Sequence, residues 1–153
     1  MNSLELKIPP PVVALCFALF MWQASKLVPP VHLPFGLRVS VAIVLVAAGL
    51  AMSIAGVVSF RRARTTINPT KPTAASALVS TGVYRFTRNP MYVGLALCLM
   101  AWAAFLSNVL ALILVPLFVS YINRFQINPE ERALLQLFGG EYTAYKQRVR
   151  RWL

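Results

Sequence analysis

Four long apolar runs, separated by short polar or proline-rich segments, dominate the sequence. They cover about residues 12–28, 37–60, 90–106 and 109–125. A run of this length and composition can cross the hydrocarbon core of a bilayer as an α-helix. The pattern therefore predicts an all-α, polytopic integral membrane protein with about four transmembrane helices.

The ends of these runs carry residues that start and stop helices. Pro90 fits the first turn of the third run, where a backbone N–H is not needed. Ser107 and Asn108 predict a tight turn, which makes a helical hairpin of the third and fourth runs. In the second run, Gly49 and Gly56 stand among other small residues, and such a surface lets a neighbouring membrane helix approach closely.

The connection between the second and third runs, residues 61–89, is long and basic. It contains no acidic residue, and this bias predicts that it lies on the cytoplasmic side of the membrane. With four spans, both termini would share that side. Apolar and aromatic residues within the connection predict that it packs back on the membrane helices: Leu78, Val79, Val83, Tyr84 and Phe86.

The fourth run is followed by a tail with its own helical signals. Asn128 predicts a helix N-cap, with Pro129 at the first position and Glu131 at the third, where its carboxylate would complete a capping box. The pair Gly139-Gly140 predicts a break. Side chains at spacings of three or four predict an amphipathic helical tail on the membrane surface or on the connection: Leu134, Phe138, Tyr142, Tyr145, Val149 and Trp152.

Composition narrows the classes of function. Of the 153 residues, 58% are hydrophobic, and 15 Lys and Arg against 4 acidic residues give a net charge of +11. The basic residues flank the apolar runs, so we expect membrane lipids rather than nucleic acid as partners. With one histidine, no aspartate and two cysteines without metal-type spacing, the sequence argues against a metal site and against Ser-His-Asp catalysis.

Polar residues at the borders of the hairpin are the remaining candidates for chemistry. The connection offers Tyr84, Arg88, Asn89 and Tyr92, and the tail offers the pair Glu130-Glu131. Both groups lie at the same mouth of the hairpin, so they can meet. The alternative is structural, because arginines and tyrosines also anchor helices at membrane interfaces and acids favour the first turn of a helix.

Four short motifs carry a resemblance to a known family. They are Gly82-Val-Tyr84, Arg88-Asn-Pro-x-Tyr92-x-Gly94, Glu130-Glu131-x-x-Leu134 and Phe138-Gly139-x-x-Tyr142-x-x-Tyr145. In this order and spacing they resemble the isoprenylcysteine carboxyl methyltransferase family, whose wider group includes membrane phospholipid N-methyltransferases. The resemblance covers about residues 60–153.

The resemblance implies a single membrane methyltransferase domain over residues 1–153, with S-adenosyl-L-methionine as methyl donor and site segments at 76–94 and 126–150. By matching position, the residues that would line the donor pocket are Ser76, Ala77, Leu78, Val79, Tyr84, Asn89, Pro90, Met91, Tyr92 and Glu130. Catalytic roles would fall to Arg88, Glu130, Glu131 and Arg124, and the acceptor would contact Arg124 and Gln126.

The chain departs from the family pattern at two positions. Asn89 stands where eukaryotic members commonly have histidine, so a step that depends on a titrating imidazole is not available there. Gln126 stands four residues before the first glutamate, where the family places an arginine near the acceptor. Arg124 is the nearest cation that can substitute for it.

The expected reaction is direct methyl transfer to a lipophilic acceptor, prenylated or acylated, that enters from the bilayer. An isoprenylcysteine-type carboxylate is the first hypothesis, because a carboxylate is already deprotonated at neutral pH and needs no base. The alternatives are a phospholipid or lipid-amine N-methyltransferase, an NADPH-dependent membrane reductase of the sterol type, and a non-enzymatic four-helix membrane protein. Against the last, none of the four apolar runs contains an acid of the kind that proton-coupled transporters use.

Overall fold

The computed structural model describes residues 5–65 and 75–153, and it is all-helical over those ranges. Its helices are α1 (Pro10–Ala24), α2 (Phe35–Arg62), α3 (Pro90–Leu106), α4 (Val109–Ile122) and α5 (Asn128–Arg148). A short 3₁₀ turn, Gly82–Arg85, precedes α3, and a π-helical turn, Asn123–Ile127, joins α4 to α5. The predicted all-α class is confirmed, and residues 66–74 of the basic connection lie outside the described residues.

Helices α1 to α4 are predominantly apolar, whereas α5 carries many charged and polar residues. Two are long and apolar enough to cross a membrane, α2 and the continuous helix Val109–Arg148, whereas α1 and α3 are apolar but shorter. The third predicted run matches α3 at both ends. The first helix begins two residues earlier than predicted and ends at Ala24, and α2 extends to Phe35 and Arg62. The number of membrane crossings stays a prediction.

Helix α2 packs along α3 at a very short distance. A Cβ atom on Gly49 would lie 2.7 Å from the carbonyl oxygen of Gly94, and one on Gly94 would overlap Ser53 Oγ and the carbonyl oxygen of Gly49. The two backbones meet without intervening side chains, so the predicted close approach through small residues is confirmed. On the other side of α3, α1 and α4 complete a core that contains Met21, Tyr92, Leu99, Phe118 and Ile122.

The predicted turn between α3 and α4 is confirmed in detail. Ser107 takes a left-handed conformation with φ 51° and ends α3. The side chain of Asn108 accepts hydrogen bonds from Leu110 N (3.0 Å) and Ala111 N (3.3 Å), which caps the start of α4. The turn also binds the loop after α1, because Ser107 Oγ donates to the carbonyl of Val31 at 2.7 Å.

The prediction that Asn128 is a helix N-cap is wrong. Asn128 has helical φ and ψ (−59°, −47°) and caps nothing, because the chain passes from α4 into α5 through the π-helical turn. Pro129 has no N–H to give to an earlier carbonyl. The carbonyl of Phe125, four residues before it, instead accepts a hydrogen bond from Leu6 N at 3.1 Å. The predicted break at Gly139 is confirmed by its non-helical φ 48° and ψ −118°.

Candidate active site

A cavity opens where α2 ends, α3 begins and α5 begins. It encloses about 620 Å³, counting the part that is open to solvent. Its walls combine aromatic side chains with a few convergent polar groups, and the lining residues are Phe60, Ala75, Ala77, Leu78, Val79, Tyr84, Arg88, Asn89, Glu130, Glu131, Leu134, Tyr142 and Tyr145.

Tyr84 is fixed in the cavity wall by the 3₁₀ turn. Gly82 has φ 63°, and a Cβ there would lie 2.8 Å from Ser59 Oγ, so the turn can lie directly on α2. The Tyr84 ring is buried and packs edge-to-face on Phe60, with 5.4 Å between ring centroids. Burial raises the pKa of Tyr84 well above its usual value, so the phenol stays a hydrogen-bond donor at neutral pH.

Glu130 has no cationic partner in the described part of the chain. Its carboxyl group accepts a hydrogen bond from the hydroxyl of Tyr92 and otherwise faces the cavity. Burial is the main reason that its pKa rises to about 8, and the neighbouring charge of Glu131 adds to the rise. At neutral pH the side chain is therefore mostly protonated, and a cation placed in the cavity would favour its ionised form.

Glu131 has the opposite environment. Arg151 donates to both carboxylate oxygens, at 3.1 Å from Nε and 2.7 Å from Nη2, and Arg88 donates from Nη2 at 2.8 Å. Lys146 Nζ lies 3.6 Å away. Burial alone would raise the pKa of Glu131, but the two arginines outweigh it and lower the pKa below its usual value. Two adjacent acids are thus held in different protonation states, a pattern typical of active sites.

The segment at the end of α5 and just beyond, residues 146–151, forms what we call the strap. It accepts a row of hydrogen bonds from residues 87–89, which precede α3. Arg88 Nη1 donates to the carbonyls of Lys146 and Val149, both at 3.0 Å, and Arg88 N donates to that of Arg150 at 3.0 Å. Thr87 Oγ1 and Asn89 Nδ2 both donate to the carbonyl of Arg151, at 3.2 Å and 2.9 Å.

The structure brings most of the predicted site residues together. Ala77, Leu78, Val79, Tyr84, Arg88, Asn89, Glu130 and Glu131 line the cavity. Tyr92 does not line the cavity itself, but its hydroxyl donates a hydrogen bond to Glu130, which does. Ser76 adjoins it, held by a hydrogen bond from its N–H to Thr65 Oγ1 at 2.9 Å. Pro90 and Met91 instead contact α2 at Gly56.

Arg124 and Gln126 are not brought to the cavity. Both lie in the π-helical turn, which directs them elsewhere: the side chain of Arg124 is exposed, and that of Gln126 is buried and donates to the carbonyl of Ile8 at 2.7 Å. Their predicted contact with an acceptor therefore has no support from this arrangement.

The predicted site residues do not include Arg151 or five residues that line the cavity, namely Phe60, Ala75, Leu134, Tyr142 and Tyr145. In the sequence, Phe60 is marked only as the last residue of the second apolar run. Tyr142 and Tyr145 were assigned to an amphipathic tail, although Tyr145 also donates from its hydroxyl to the carbonyl of Tyr84 at 2.8 Å. Arg151 lies among several basic residues at the end of the tail, and its position in the sequence does not distinguish it from them. Its positive charge is the one sequence feature that points to a role, because a buried acid such as Glu131 requires cations nearby.

The structure thus shows a cavity at one end of a set of apolar helices, and comparison with known sequences gives the class of the protein. Residues 37–141 match the family model described as phospholipid methyltransferase. The chain belongs to this family of integral membrane methyltransferases, which confirms the family resemblance.

Two curated proteins illustrate the range of the similarity. An uncharacterised protein of Haemophilus influenzae is 52% identical over 63 residues, which are 41% of this chain and 100% of that protein. The protein-S-isoprenylcysteine O-methyltransferase of Saccharomyces cerevisiae is 34% identical over 83 residues, which are 52% of this chain but only 34% of the yeast protein. No solved structure matches the chain at a significant level.

Proposed function

We propose that the chain is an S-adenosylmethionine-dependent methyltransferase whose donor binds in the cavity around Glu130. The observation that carries this proposal is a carboxyl group in a cavity wall with a hydroxyl partner, Tyr92, but no cationic partner among the residues that the structure describes. Leaving such a group unpaired costs free energy unless it is protonated or meets a positive ligand. The donor carries two positive groups, a sulfonium and an ammonium, and either one fits.

Other groups in the cavity suit the rest of the donor. Arg88 is 91% buried, and its Nε–H has no hydrogen-bond partner among the described residues, so it can donate to a carboxylate. Tyr84 and Tyr142 present protonated phenols and ring faces, because burial raises the pKa of both hydroxyls. Leu78 and Val79 provide apolar surface for an adenine ring.

The bound donor would supply a methyl group that is already electrophilic, so the protein needs no further activation of it. The protein would hold the donor and the acceptor in line and exclude water from the cavity. Glu130, ionised by the donor's charge, fixes the position of the positive group. The aromatic walls formed by Phe60, Tyr84 and Tyr145 exclude water, and the open side of the cavity leaves room for a lipophilic acceptor.

Two classes of acceptor remain open, and each has support. The yeast relative acts on isoprenylcysteine, which favours a carboxylate. The positions of Arg124 and Gln126 favour an amine, because neither offers a positive group to an acceptor carboxylate in the cavity. An ammonium acceptor must lose a proton before transfer, and the carboxylate of Glu130, which is ionised when the donor is bound, can accept it.

The donor assignment can be tested by calorimetry on detergent-purified protein. S-adenosylmethionine and its demethylated product should bind saturably, and NADPH should not. Binding of NADPH alone would favour the reductase hypothesis. Binding of none of the three by a monodisperse sample, with or without a lipid acceptor, would reject the proposal.

The acceptor class can be read from the stability of the product. Membranes that contain the protein are incubated with donor labelled in its methyl group, together with a prenylcysteine analogue or phosphatidylethanolamine. Because an ester is cleaved by base and an N-methyl group is not, base-labile label identifies a carboxylate acceptor and base-stable lipid label an amine. Membranes with the Glu130→Gln variant provide the background.

We also propose that the cavity faces the cytoplasm. Twelve described basic residues lie at the cavity end of the helices, namely Lys7, Arg61, Arg62, Arg64, Arg85, Arg88, Arg124, Arg132, Lys146, Arg148, Arg150 and Arg151, and Lys26 and Arg38 lie at the other. Such a bias marks the cytoplasmic side.

An impermeant thiol reagent should label Arg85→Cys only after cells are opened, and His32→Cys in intact cells. The reverse pattern would overturn the orientation.

A further inference from the structure

We propose that Arg151 is a positioning residue, which holds the strap and residues 87–89 together through Glu131 and so fixes three polar residues of the cavity wall. The proposal rests on the proposed function for the identity of the ligand, but the contacts that carry it are independent of any ligand. Arg88, Asn89 and Glu131 line the cavity, and each of them is bonded to the strap.

The geometry of the pair between Arg151 and Glu131 is the first argument. The guanidinium donates from Nε to Oε1 and from Nη2 to Oε2, so two parallel hydrogen bonds fix both the distance and the direction of the carboxylate. The side chain of Glu131 is only 11% exposed, which strengthens these bonds relative to a surface pair. Lysine cannot reproduce the arrangement, because it offers a single point charge.

The backbone of Arg151 is the second argument. Its carbonyl oxygen accepts hydrogen bonds from both Thr87 Oγ1 and Asn89 Nδ2, so the residue contacts the start of α3 with its main chain and the start of α5 with its side chain. Arg88 completes the connection by donating to Glu131 and to the strap carbonyls. Arg151 thus joins the two sequence segments that supply most of the polar cavity wall.

The third argument is that the adjacent Glu130 shares this support. Glu130 and Glu131 are consecutive residues of the first turn of α5, which the ion pairs of Glu131 attach to the strap and to Arg88. Loss of the guanidinium at position 151 would leave Glu131 with Arg88 and the more exposed Lys146, whose Nζ is 3.6 Å away. The carboxyl group of Glu130 would then be held less precisely against the cavity, and the cavity wall would open more often.

The test compares Arg151→Gln with Arg150→Gln and Arg151→Lys. Arg150 is the matched control, since its exposed side chain makes no hydrogen bond or ion pair among the described residues. Opening of the cavity is followed by the labelling rate of Ala77→Cys, a lining position, in protein whose Cys16 and Cys98 are replaced by alanine. Donor binding is followed in parallel by the dissociation rate of the demethylated product. Size-exclusion profiles establish that each variant is folded.

Arg151→Gln should speed both labelling and product release by roughly tenfold, as the loss of a charge-assisted, two-bond pair implies. Arg150→Gln should match the wild type, and Arg151→Lys should fall between. Equal effects of the two glutamine variants, or none from Arg151→Gln, would overturn the proposal. If Arg151→Gln does not fold, Arg151→Lys decides, and a labelling rate equal to that of the wild type counts against the proposal. If the wild type binds no donor while the labelling rates follow the expected order, the proposed function fails and the positioning role stands.

Discussion

Replacing Glu130 with glutamine should weaken the binding of S-adenosylmethionine by roughly a hundredfold, which is the loss expected when a buried charge-assisted interaction is removed. Glutamine keeps the shape of the side chain and can still bond to the Tyr92 hydroxyl, so the fold should be unchanged. Calorimetry gives the affinity, and Glu141→Gln is the control. Glu141 is exposed and makes no ion pair among the described residues, and its replacement removes the same charge from the same helix.

The demethylated product adds a second comparison to this experiment. It keeps the ammonium group but has no sulfonium. If Glu130 faces the sulfonium, Glu130→Gln should weaken donor binding much more than product binding. If it faces the ammonium, the two ligands should lose affinity equally. An unchanged affinity for both ligands would show that Glu130 is not part of the donor site.

The pH dependence of donor affinity follows from the same residue. In the ligand-free protein, burial raises the pKa of Glu130 to about 8, so below that pH the group carries a proton. A bound cation lowers the pKa, and binding must then release the proton. Donor affinity of the wild type should therefore rise with pH up to about 8 and then level off. In Glu130→Gln this rise should disappear, and subtraction of the two curves removes the titration of the donor itself.

Alanine at position 94 should destabilise the fold more than alanine at any other glycine of the described helices. Its Cβ would overlap the carbonyl oxygen of Gly49, a backbone atom that cannot rotate away, as well as Ser53 Oγ. Overpacking of this kind costs on the order of 3 kcal/mol, or roughly 10 °C in the unfolding midpoint of a protein of this size. The midpoint in detergent measures the effect.

Two further variants show which contact is responsible for the loss of stability in Gly94→Ala. Gly36→Ala, in α2, adds a methyl group where nothing lies within 4 Å, and it should be neutral or slightly stabilising. Ser53→Ala combined with Gly94→Ala removes the side-chain overlap but leaves the carbonyl of Gly49 in place. The double variant should stay destabilised, and a full recovery would mean that the backbone contact is not limiting.

Much of the helical architecture could be predicted, because the residues that end helices act locally. Pro90 and the Ser107-Asn108 turn mark both ends of α3, because Asn89 before the proline is non-helical and Ser107 takes a left-handed conformation. Asn128 shows the limit. Its capping signal was overridden because the π-helical turn lets the helix continue, with the carbonyl of Phe125 satisfied by Leu6, which is remote in sequence.

Most residues of the candidate site can be predicted from the sequence, but which of the two glutamates pairs with cations cannot. Glu130 and Glu131 are adjacent, and consecutive helical residues point about 100° apart. Which of the two meets cations depends on the exact rotation of α5, and the π-helical turn sets that rotation. The same turn removes Arg124 and Gln126 from the cavity. Arg151 lies 20 residues from its partner, so only the folded chain shows the pair.

The contact between Gly49 and Gly94 also determines which side of the cavity can adapt. Because the backbones of α2 and α3 touch, these helices are expected to move as one rigid body that carries Phe60, Tyr84 and Asn89 with it. The opposite wall, with Tyr142 and Tyr145, follows the non-helical residue Gly139, around which open space remains. Under the proposed function, substitutions in the tail can change the shape that the cavity offers to an acceptor without altering the contact between α2 and α3.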